Sequence, residues 1–181
     1  GKIDLNTAKV LDASNKIVLP GVIDTQVHFR EPGSIDTEDL ESGSKAAVLG
    51  GITSVFEMPN TNPPTSTLAE FDKKIQLAKN RMHSNYAFYF GATPENSDQL
   101  AKLKNLEGCC GVKLFAGSST GKLLVDKESD IEKVISKSDR VVSIHSEDEE
   151  ILKLRKKFIK DGDVKSPVSY THLRAHETCT N

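Results

Sequence analysis

The chain has 181 residues, of which 36% are hydrophobic and 28% charged, so it has enough apolar side chains for the buried core of one or two domains. Its formal net charge is −2, with acidic and basic residues interspersed, which gives no basis for binding nucleic acid or an anionic membrane surface and predicts a small-molecule partner. It has no apolar run near the ~20 residues of a membrane helix and no secretory signal pattern, which predicts a cytoplasmic protein.

Three cysteines are present, and Cys109 and Cys110 are adjacent within an apolar segment. The sequence has no second cysteine pair that would complete a zinc site. We therefore predict buried, reduced thiols rather than a disulfide framework.

Strand-like and helix-like segments alternate along the chain from residue 22 onward. Apolar runs rich in β-branched and aromatic residues predict strands at residues 22–29, 51–59, 84–92, 109–117 and 140–148. Amphipathic segments follow them and predict helices at residues 37–50, 66–81, 96–106, 126–138 and 147–161. This alternation predicts βα units around a parallel sheet.

Polar residues concentrate where the predicted strands end, in HFREPG, EMPNTNPPT, GSSTG and HSED. This distribution is typical of the active face of a βα barrel. A doubly wound sheet also alternates strands and helices, but it places a glycine-rich phosphate loop after an early strand, and the sequence has no GxGxxG or Walker motif. The predicted fold class is therefore α/β, a partial (β/α)8 barrel with about five of the eight strands.

The predicted barrel covers residues 21–166, and the segments on either side of it differ in character. Residues 1–20 are predicted to be the end of an N-terminal β-rich domain, and residues 167–181 an artefactual tail. The segment VSYTHLRAHET, residues 168–178, agrees residue for residue with the translation of a common transposase sequencing adapter. On this interpretation His172 and His176, four residues apart, are not a helical metal pair.

The segment PGVIDTQVHFREPG carries the strongest functional signal. Alternate side chains of a strand share a face, so Asp24, Gln26, His28 and Arg30 are predicted to point into one pocket. Such spacing is typical of a metal site, although an isolated histidine is as readily explained as a core or capping residue.

Two further polar residues lie in apolar predicted strands. Lys113 lies inside GCCGVKLFAG, where a charged ammonium is costly unless it is paired or chemically changed. The alternative is a lysine that extends to the barrel rim. His145 ends the run RVVSIH, so that His28, Lys113 and His145 give three candidate ligands at three strand ends, as a barrel metal site requires. His83 lies in a loop between units and is predicted to be a surface residue.

These motifs resemble those of dihydroorotases, of the hydantoinase-like long-chain type within the amidohydrolase superfamily, and the resemblance covers residues 1–166. His28 matches the second of two metal-binding histidines in the first strand. Gln26 stands where the family has the first, and an amide oxygen is a weaker zinc ligand. Lys113, in GVKLF, matches a catalytic lysine that is carbamylated and bridges two metals, and His145 matches the ligand from strand five. The resemblance thus implies one or two Zn²⁺ ions.

Arg30 and Asn60 are the candidate substrate-binding residues. Arg30 offers a planar fork suited to a carboxylate, and Asn60 follows the second predicted strand at the same barrel mouth. The pairing of HxRxPG with MPNT resembles dihydroorotases, where it holds the substrate carboxylate. The resemblance therefore implies reversible closure of N-carbamoyl-L-aspartate to dihydroorotate in pyrimidine synthesis. The alternatives are that Arg30 pairs with Glu31 or Asp36 and that Asn60 only shapes a turn.

Three functions stay open, and an active dihydroorotase is favoured. The second is a hydrolase of another cyclic amide, such as a dihydropyrimidinase, a hydantoinase or an allantoinase. The third is a non-catalytic, dihydroorotase-like partner of aspartate transcarbamoylase, for which Gln26 is the best evidence. Asp24 is expected to orient the histidines. The family's sixth-strand histidine and eighth-strand general base would lie beyond Ser166, so the chain as printed is predicted to be inactive and its full-length parent to form a homo-oligomer.

Overall fold

The computed structural model describes residues 9–117, 119 and 122–157, and the side chains of all of these except 156 and 157. The predicted adapter-derived tail at residues 168–178, with His172 and His176, lies outside the described residues. So does the greater part of the GSSTG loop.

Five strands form a single parallel sheet, and each strand pairs with its neighbours in the sequence. A doubly wound sheet reverses direction at a switch point, whereas a barrel adds its strands in chain order. The order β1-β2-β3-β4-β5 therefore confirms the predicted partial barrel, a curled sheet of five strands. The strands are β1 (Val22–Val27), β2 (Ile52–Glu57), β3 (Asn85–Gly91), β4 (Cys109–Phe115) and β5 (Val142–His145).

Helices follow every strand, as the amphipathic segments predicted. They are α1 (Leu40–Leu49), α2 (Leu68–Ala78), a 3₁₀ helix (Ser97–Asn105), α3 (Glu128–Lys137) and α4 (Glu149–Lys157). Asp39 caps α1 by accepting a hydrogen bond from Ser42 N at 2.7 Å, and Thr67 caps α2 by accepting one from Glu70 N at 3.1 Å. Such side-chain caps satisfy backbone N–H groups that have no partner inside the helix.

The predicted helix at 96–106 is a 3₁₀ helix, not an α-helix. Asn96 precedes it but gives it no side-chain cap. Its side chain instead binds the end of β3: Oδ1 accepts from Thr93 N at 2.8 Å, and Nδ2 donates to Gly91 O and Ser66 O, both at 2.9 Å. The Asn96 side chain therefore holds the loops around the barrel mouth together and does not cap the helix.

The hydrophobic core lies between the sheet and the helices. Its fully buried members include Leu40, Val55, Phe71, Phe88, Leu100, Val112, Leu114 and Val134. Successive residues of a strand point to opposite faces of the sheet. The strand residues that alternate with these core residues therefore face the inside of the curled sheet. Phe56 and Tyr89 meet edge to face there, with ring centroids 6.5 Å apart.

Residues 9–20, the described part of the predicted β-rich segment, contain no strand and no helix. Ile17, Val18 and Leu19 are 89%, 77% and 75% exposed. Within the part of the chain that the structure describes, these apolar side chains are therefore not packed into a core. No helix among the described residues has the length and apolarity needed to cross a membrane.

Candidate active site

The carboxyl ends of the strands bring the predicted site residues to one end of the sheet. In the register of the sheet, Lys113 of β4 lies beside Gly91 and Ser143, and Phe115 lies beside His145 at the end of β5. His28 directly follows β1. Parallel strands place these ends at a common edge, so residues 117 positions apart in sequence share one site.

His28 is held by Asn60, which lies in the loop after β2. The two side chains form a hydrogen bond of 2.8 Å between His28 Nδ1 and Asn60 Oδ1. Since the amide oxygen only accepts, Nδ1 carries the proton. His28 Nε2 has no hydrogen-bond partner among the described residues, so its lone pair faces outward from this contact, as a metal ligand requires.

The pKa of His28 is lowered, chiefly by burial, and this favours the neutral imidazole. The hydrogen bond that His28 Nδ1–H donates to Asn60 Oδ1 raises the pKa, while the charges of Arg30, Lys113 and His145 lower it further. All three predicted partners are therefore near enough to His28 to act on it electrostatically.

His145 is held by Glu147, a carboxylate that sequence reasoning missed. His145 Nε2 lies 2.8 Å from Glu147 Oε2, and Glu147 is buried. A Cβ on Gly117 would lie 2.7 Å from Glu147 O, so only glycine lets the ends of β4 and β5 approach this closely. The missed signal was an acidic residue two positions after a strand-end histidine, where it stays within reach of the ring.

Lys113 is only 3% exposed, which argues against a side chain that extends to the rim. Its Nζ lies 5.1 Å from the centroid of the Phe115 ring, a cation–π distance. Phe115 also contacts His145, with ring centroids 6.1 Å apart. Lys113 is therefore part of the same buried cluster as His145.

Arg30 and Asn60 line a common cleft of about 410 Å³ beside this cluster. Arg30 is exposed and forms no ion pair with any described residue. The alternative pairing with Glu31 is excluded, because Glu31 accepts two hydrogen bonds from Arg81, at 2.7 and 3.0 Å, and one from Leu40 N. The cleft also contains a cation that was not predicted, Lys122.

Gln26 and Asp24 stand apart from the hydrogen bonds of this cluster. Asp24 Oδ1 accepts a hydrogen bond from Gln26 N at 2.9 Å instead of orienting the histidines, as was expected. That role is filled by Asn60 at His28 and by Glu147 at His145. Gln26 is exposed, and the amide makes no side-chain hydrogen bond to the described residues. His83 is exposed, as predicted.

The chemistry of the donors decides whether this site suits a metal ion. Within residues 9–117, 119 and 122–157, no three His, Cys, Asp or Glu side chains form a ready metal site. His28 and His145 each have one ring nitrogen engaged and one directed elsewhere. A lysine ammonium repels cations, but a lysine carbamate supplies carboxylate-like oxygens. The residues therefore fit a metal if Lys113 is carbamylated.

The two adjacent cysteines are part of the sheet, not of this cluster. Cys109 is buried and Cys110 half-buried, and both are free thiols. Burial raises the pKa of Cys110 to about 12, which keeps the thiol protonated. Protonated thiols are poor nucleophiles and poor metal ligands, in line with the predicted structural role.

A family model described as "Amidohydrolase family" matches residues 17–176. This chain belongs to the amidohydrolase family. The described residues form part of an amidohydrolase barrel, with the candidate ligand side chains at its strand ends.

Amidohydrolases with different substrates resemble the chain at similar levels. The dihydroorotase of Thermococcus kodakarensis is 37% identical over 154 residues, 83% of this chain and 35% of that protein. The allantoinase of Arabidopsis thaliana is 34% identical over 185 positions, 98% of this chain and 36% of that protein. The solved L-hydantoinase from Arthrobacter aurescens has a TM-score of 0.82 at 29% identity, covering 94% of this chain and 40% of that one. The chain thus spans about a third of the length of the curated relatives it matches.

Proposed function

We propose that this chain carries the metal site and the carboxylate subsite of a dihydroorotase, which interconverts N-carbamoyl-L-aspartate and dihydroorotate in pyrimidine synthesis. The observation that carries the proposal is the position of Arg30. Its guanidinium lines a cleft with Asn60, has no carboxylate partner among the described residues, and acts electrostatically on His28. An unneutralised arginine beside the reacting centre suits a cyclic amide that bears a carboxylate.

His28 and His145 are the residues that would hold zinc, each through its remaining ring nitrogen, together with Lys113 as a carbamate. Carbamylation would replace a buried positive charge with a negative one and so remove the repulsion between Lys113 and a cation. When bound, the metal polarises the amide carbonyl and lowers the pKa of water. Gln26 stands where the family has a histidine ligand, so whether one or two zinc ions bind is a question for experiment.

Arg30 and Asn60 orient the substrate for this chemistry. Asn60 Oδ1 is engaged with His28, so its Nδ2 group is the part that donates to a ligand. Arg30 offers two parallel N–H donors to the same carboxylate. In the hydrolytic direction water adds to the ring carbonyl, the C–N bond breaks, and the ring nitrogen takes the proton to give N-carbamoyl-L-aspartate.

Hydrolysis of another cyclic amide is the second candidate, since an allantoinase and an L-hydantoinase also resemble the chain. A ring without a carboxylate gives Arg30 nothing to pair with, so the guanidinium adds no charge-assisted hydrogen bonds to the binding of such a ring. A scaffold partner of aspartate transcarbamoylase is the third candidate, favoured by Gln26. We place the protein in the cytoplasm, as a homo-oligomer.

The test is hydrolysis by the zinc-loaded product of the complete open reading frame that encodes this chain. Dihydroorotate, hydantoin and allantoin are compared in the wild type and in Arg30→Met. We expect turnover of dihydroorotate, with kcat/KM at least 100-fold lower in Arg30→Met. Turnover of hydantoin or allantoin alone would establish the second candidate, and a folded protein that neither binds zinc nor turns over any of the three would favour the scaffold.

A further inference from the structure

We infer that Lys122 is a second binding residue of the carboxylate subsite and makes the cleft selective for substrates with an exocyclic anionic group. This inference rests on the proposed function and extends it from Arg30 and Asn60 to a residue on a third loop. It concerns ligand selection, not the reacting atoms.

The lining of the cleft carries a net positive charge. Its polar lining consists of Arg30, Ser34, Asn60, Thr61, Asn62 and Lys122, and the remaining lining residues are prolines. Two of these side chains are cationic, four are neutral hydrogen-bonding groups, and none is a carboxylate. Such a lining attracts an anion and offers it donors at short range.

Neither cation forms an ion pair within the described part of the protein. Arg30 and Lys122 are absent from its ion pairs, although both have an acidic residue close by. Glu31, next to Arg30, is turned to Arg81, with hydrogen bonds of 2.7 and 3.0 Å. Glu95 lines an adjoining cleft of about 570 Å³ with Lys122, yet no ion pair joins the two. Both positive charges therefore remain for a ligand.

The backbone that follows Lys122 is held by buried side chains and by a hydrogen bond to β4. Leu123 is 1% exposed and packs at the end of β3, where a Cβ on Gly91 would lie 2.8 Å from Leu123 Cδ2 and 3.2 Å from Pro59 Cβ. Val125 is fully buried, and its N–H donates to Phe115 O at 2.8 Å. The segment after Lys122 is thus anchored against the turn that carries Asn60, so Lys122 is presented to the same cleft.

Two cations around one carboxylate affect anionic and neutral ligands differently. A flexible ammonium adds charge and one or more hydrogen bonds to the bidentate contact from Arg30. A neutral ring gains nothing from it. Lys122 is therefore expected to change the affinity for dihydroorotate much more than that for dihydrouracil, the same ring without the carboxylate.

The experiment compares Lys122→Met, Lys122→Arg and a matched control, Lys45→Met, in the zinc-loaded product of the complete open reading frame. Lys45 is exposed on α1 and lines neither cleft. We expect Lys122→Met to raise the KM for dihydroorotate roughly tenfold, about the effect of one charge-assisted contact. The rise in KM for dihydrouracil should be at least fivefold smaller. Lys122→Arg should restore most of the affinity for dihydroorotate, and Lys45→Met should have the KM of the wild type.

Equilibrium binding of orotate, an unreactive carboxylate, separates this inference from the proposed function. If dihydroorotate is not hydrolysed but orotate binds and Lys122→Met weakens that binding, the proposed function fails while the inference holds. If dihydroorotate is hydrolysed and Lys122→Met has the same KM as Lys45→Met, the inference is overturned and the proposed function holds.

Discussion

His28 and His145 are each fixed through a single ring nitrogen by a neighbour from outside their own strand. Asn60 holds His28 at 2.8 Å and Glu147 holds His145 at the same distance. A hydrogen bond to one ring nitrogen selects the tautomer and directs the lone pair of the other. These two partners therefore decide which atoms the site can offer to a metal.

Asn60→Ala is expected to weaken zinc binding by about 10- to 100-fold, the usual effect of removing the partner that orients a ligating histidine. The variant removes the acceptor for His28 Nδ1–H, so the ring loses both its preferred tautomer and its orientation. Competition with a chelator of known affinity measures the change. Asn62→Ala is the matched control, because Asn62 lines the same cleft without bonding to His28. Equal zinc affinities in the two variants would contradict the prediction.

Glu57 gives a pH-dependent contribution to stability. It is fully buried against Lys74, and burial raises its pKa from 4.5 to about 7. The folded state thus binds this proton more tightly than the unfolded chain. Stability from this group is fully present below about pH 4.5 and is lost as the pH rises to about 7.

Urea denaturation from pH 4.5 to 7.5 tests this sign. The stability of the wild type relative to Glu57→Gln is expected to fall with rising pH. In Lys74→Met the attraction that lowers the pKa of Glu57 is gone, so the fall should extend to higher pH. A wild-type advantage that grows with pH would contradict the prediction.

The sequence predicted the strand-end positions of His28, Lys113 and His145, because strand period alone places alternate residues on one face. It did not predict their partners. Asn60 is 32 residues from His28, and such a contact depends on how two loops approach one another in the folded chain. Glu147 was within reach of prediction, since it lies two residues after His145. Asp24 was expected to orient the histidines, but its side chain accepts a hydrogen bond from Gln26 N of its own strand instead.

At the scale of elements, one buried carboxylate joins the loop after β1 to two helices. Glu31 accepts a bidentate pair from Arg81, which follows α2, and a hydrogen bond from Leu40 N at the start of α1. Glu31 is 7% exposed. This network orients the loop that carries Arg30 while leaving the Arg30 guanidinium to the cleft.

Arg81→Ala is expected to lower the free energy of unfolding by about 2 kcal/mol, because it leaves a buried carboxylate without its cation. The loss is smaller than for a fully buried pair because Arg81 is partly exposed. The stability of Arg81→Lys should lie between those of the wild type and Arg81→Ala, because an ammonium cannot make the bidentate contact. Lys73→Met, which removes an exposed pair with Glu70, is the control and should cost no more than about 0.5 kcal/mol. Urea denaturation measures all three, and equal losses in Arg81→Ala and Lys73→Met would contradict the prediction.

The predicted elements agree with the observed strands and α-helices to within a few residues, because apolar period and capping residues are local properties. The 3₁₀ helix was not predicted, since its composition suits an α-helix. Asn96, which precedes this helix, bonds through its side chain to Thr93, Gly91 and Ser66 and does not cap the helix. These hydrogen bonds depend on how the loops pack in the folded chain, and no local sequence pattern indicates them.

At the scale of the whole molecule, the described sheet is open at both edges. β1 and β5 each pair with a single neighbour. Apolar side chains at these edges are exposed, with Val22 at 57%, Ile23 at 56%, Val141 at 74% and Ile144 at 40%. Open parallel edges with apolar surface favour pairing with another chain.

The 181-residue chain by itself is therefore expected to self-associate in a concentration-dependent manner. Sedimentation velocity between 1 and 100 μM, chosen as the range of weak association, measures this. Ile23→Lys, which places a charge on the β1 edge, should shift the distribution toward the monomer. Val48→Lys, an equally apolar exposed position on α1, is the control and should leave it unchanged. A monomeric wild type over the whole range would contradict the prediction.

The chain-order sheet also has a consequence for synthesis on the ribosome. Every strand after β1 pairs with the strand made immediately before it, about 30 residues earlier. A nascent chain can thus add one βα unit at a time, since each of the described strands β2 to β5 emerges when one of its partners has already been made. Each loop closed in this way is short, which keeps its entropic cost low. The β1–β2 part of the sheet, whose strands lead to His28, Arg30 and Asn60, is accordingly formed first.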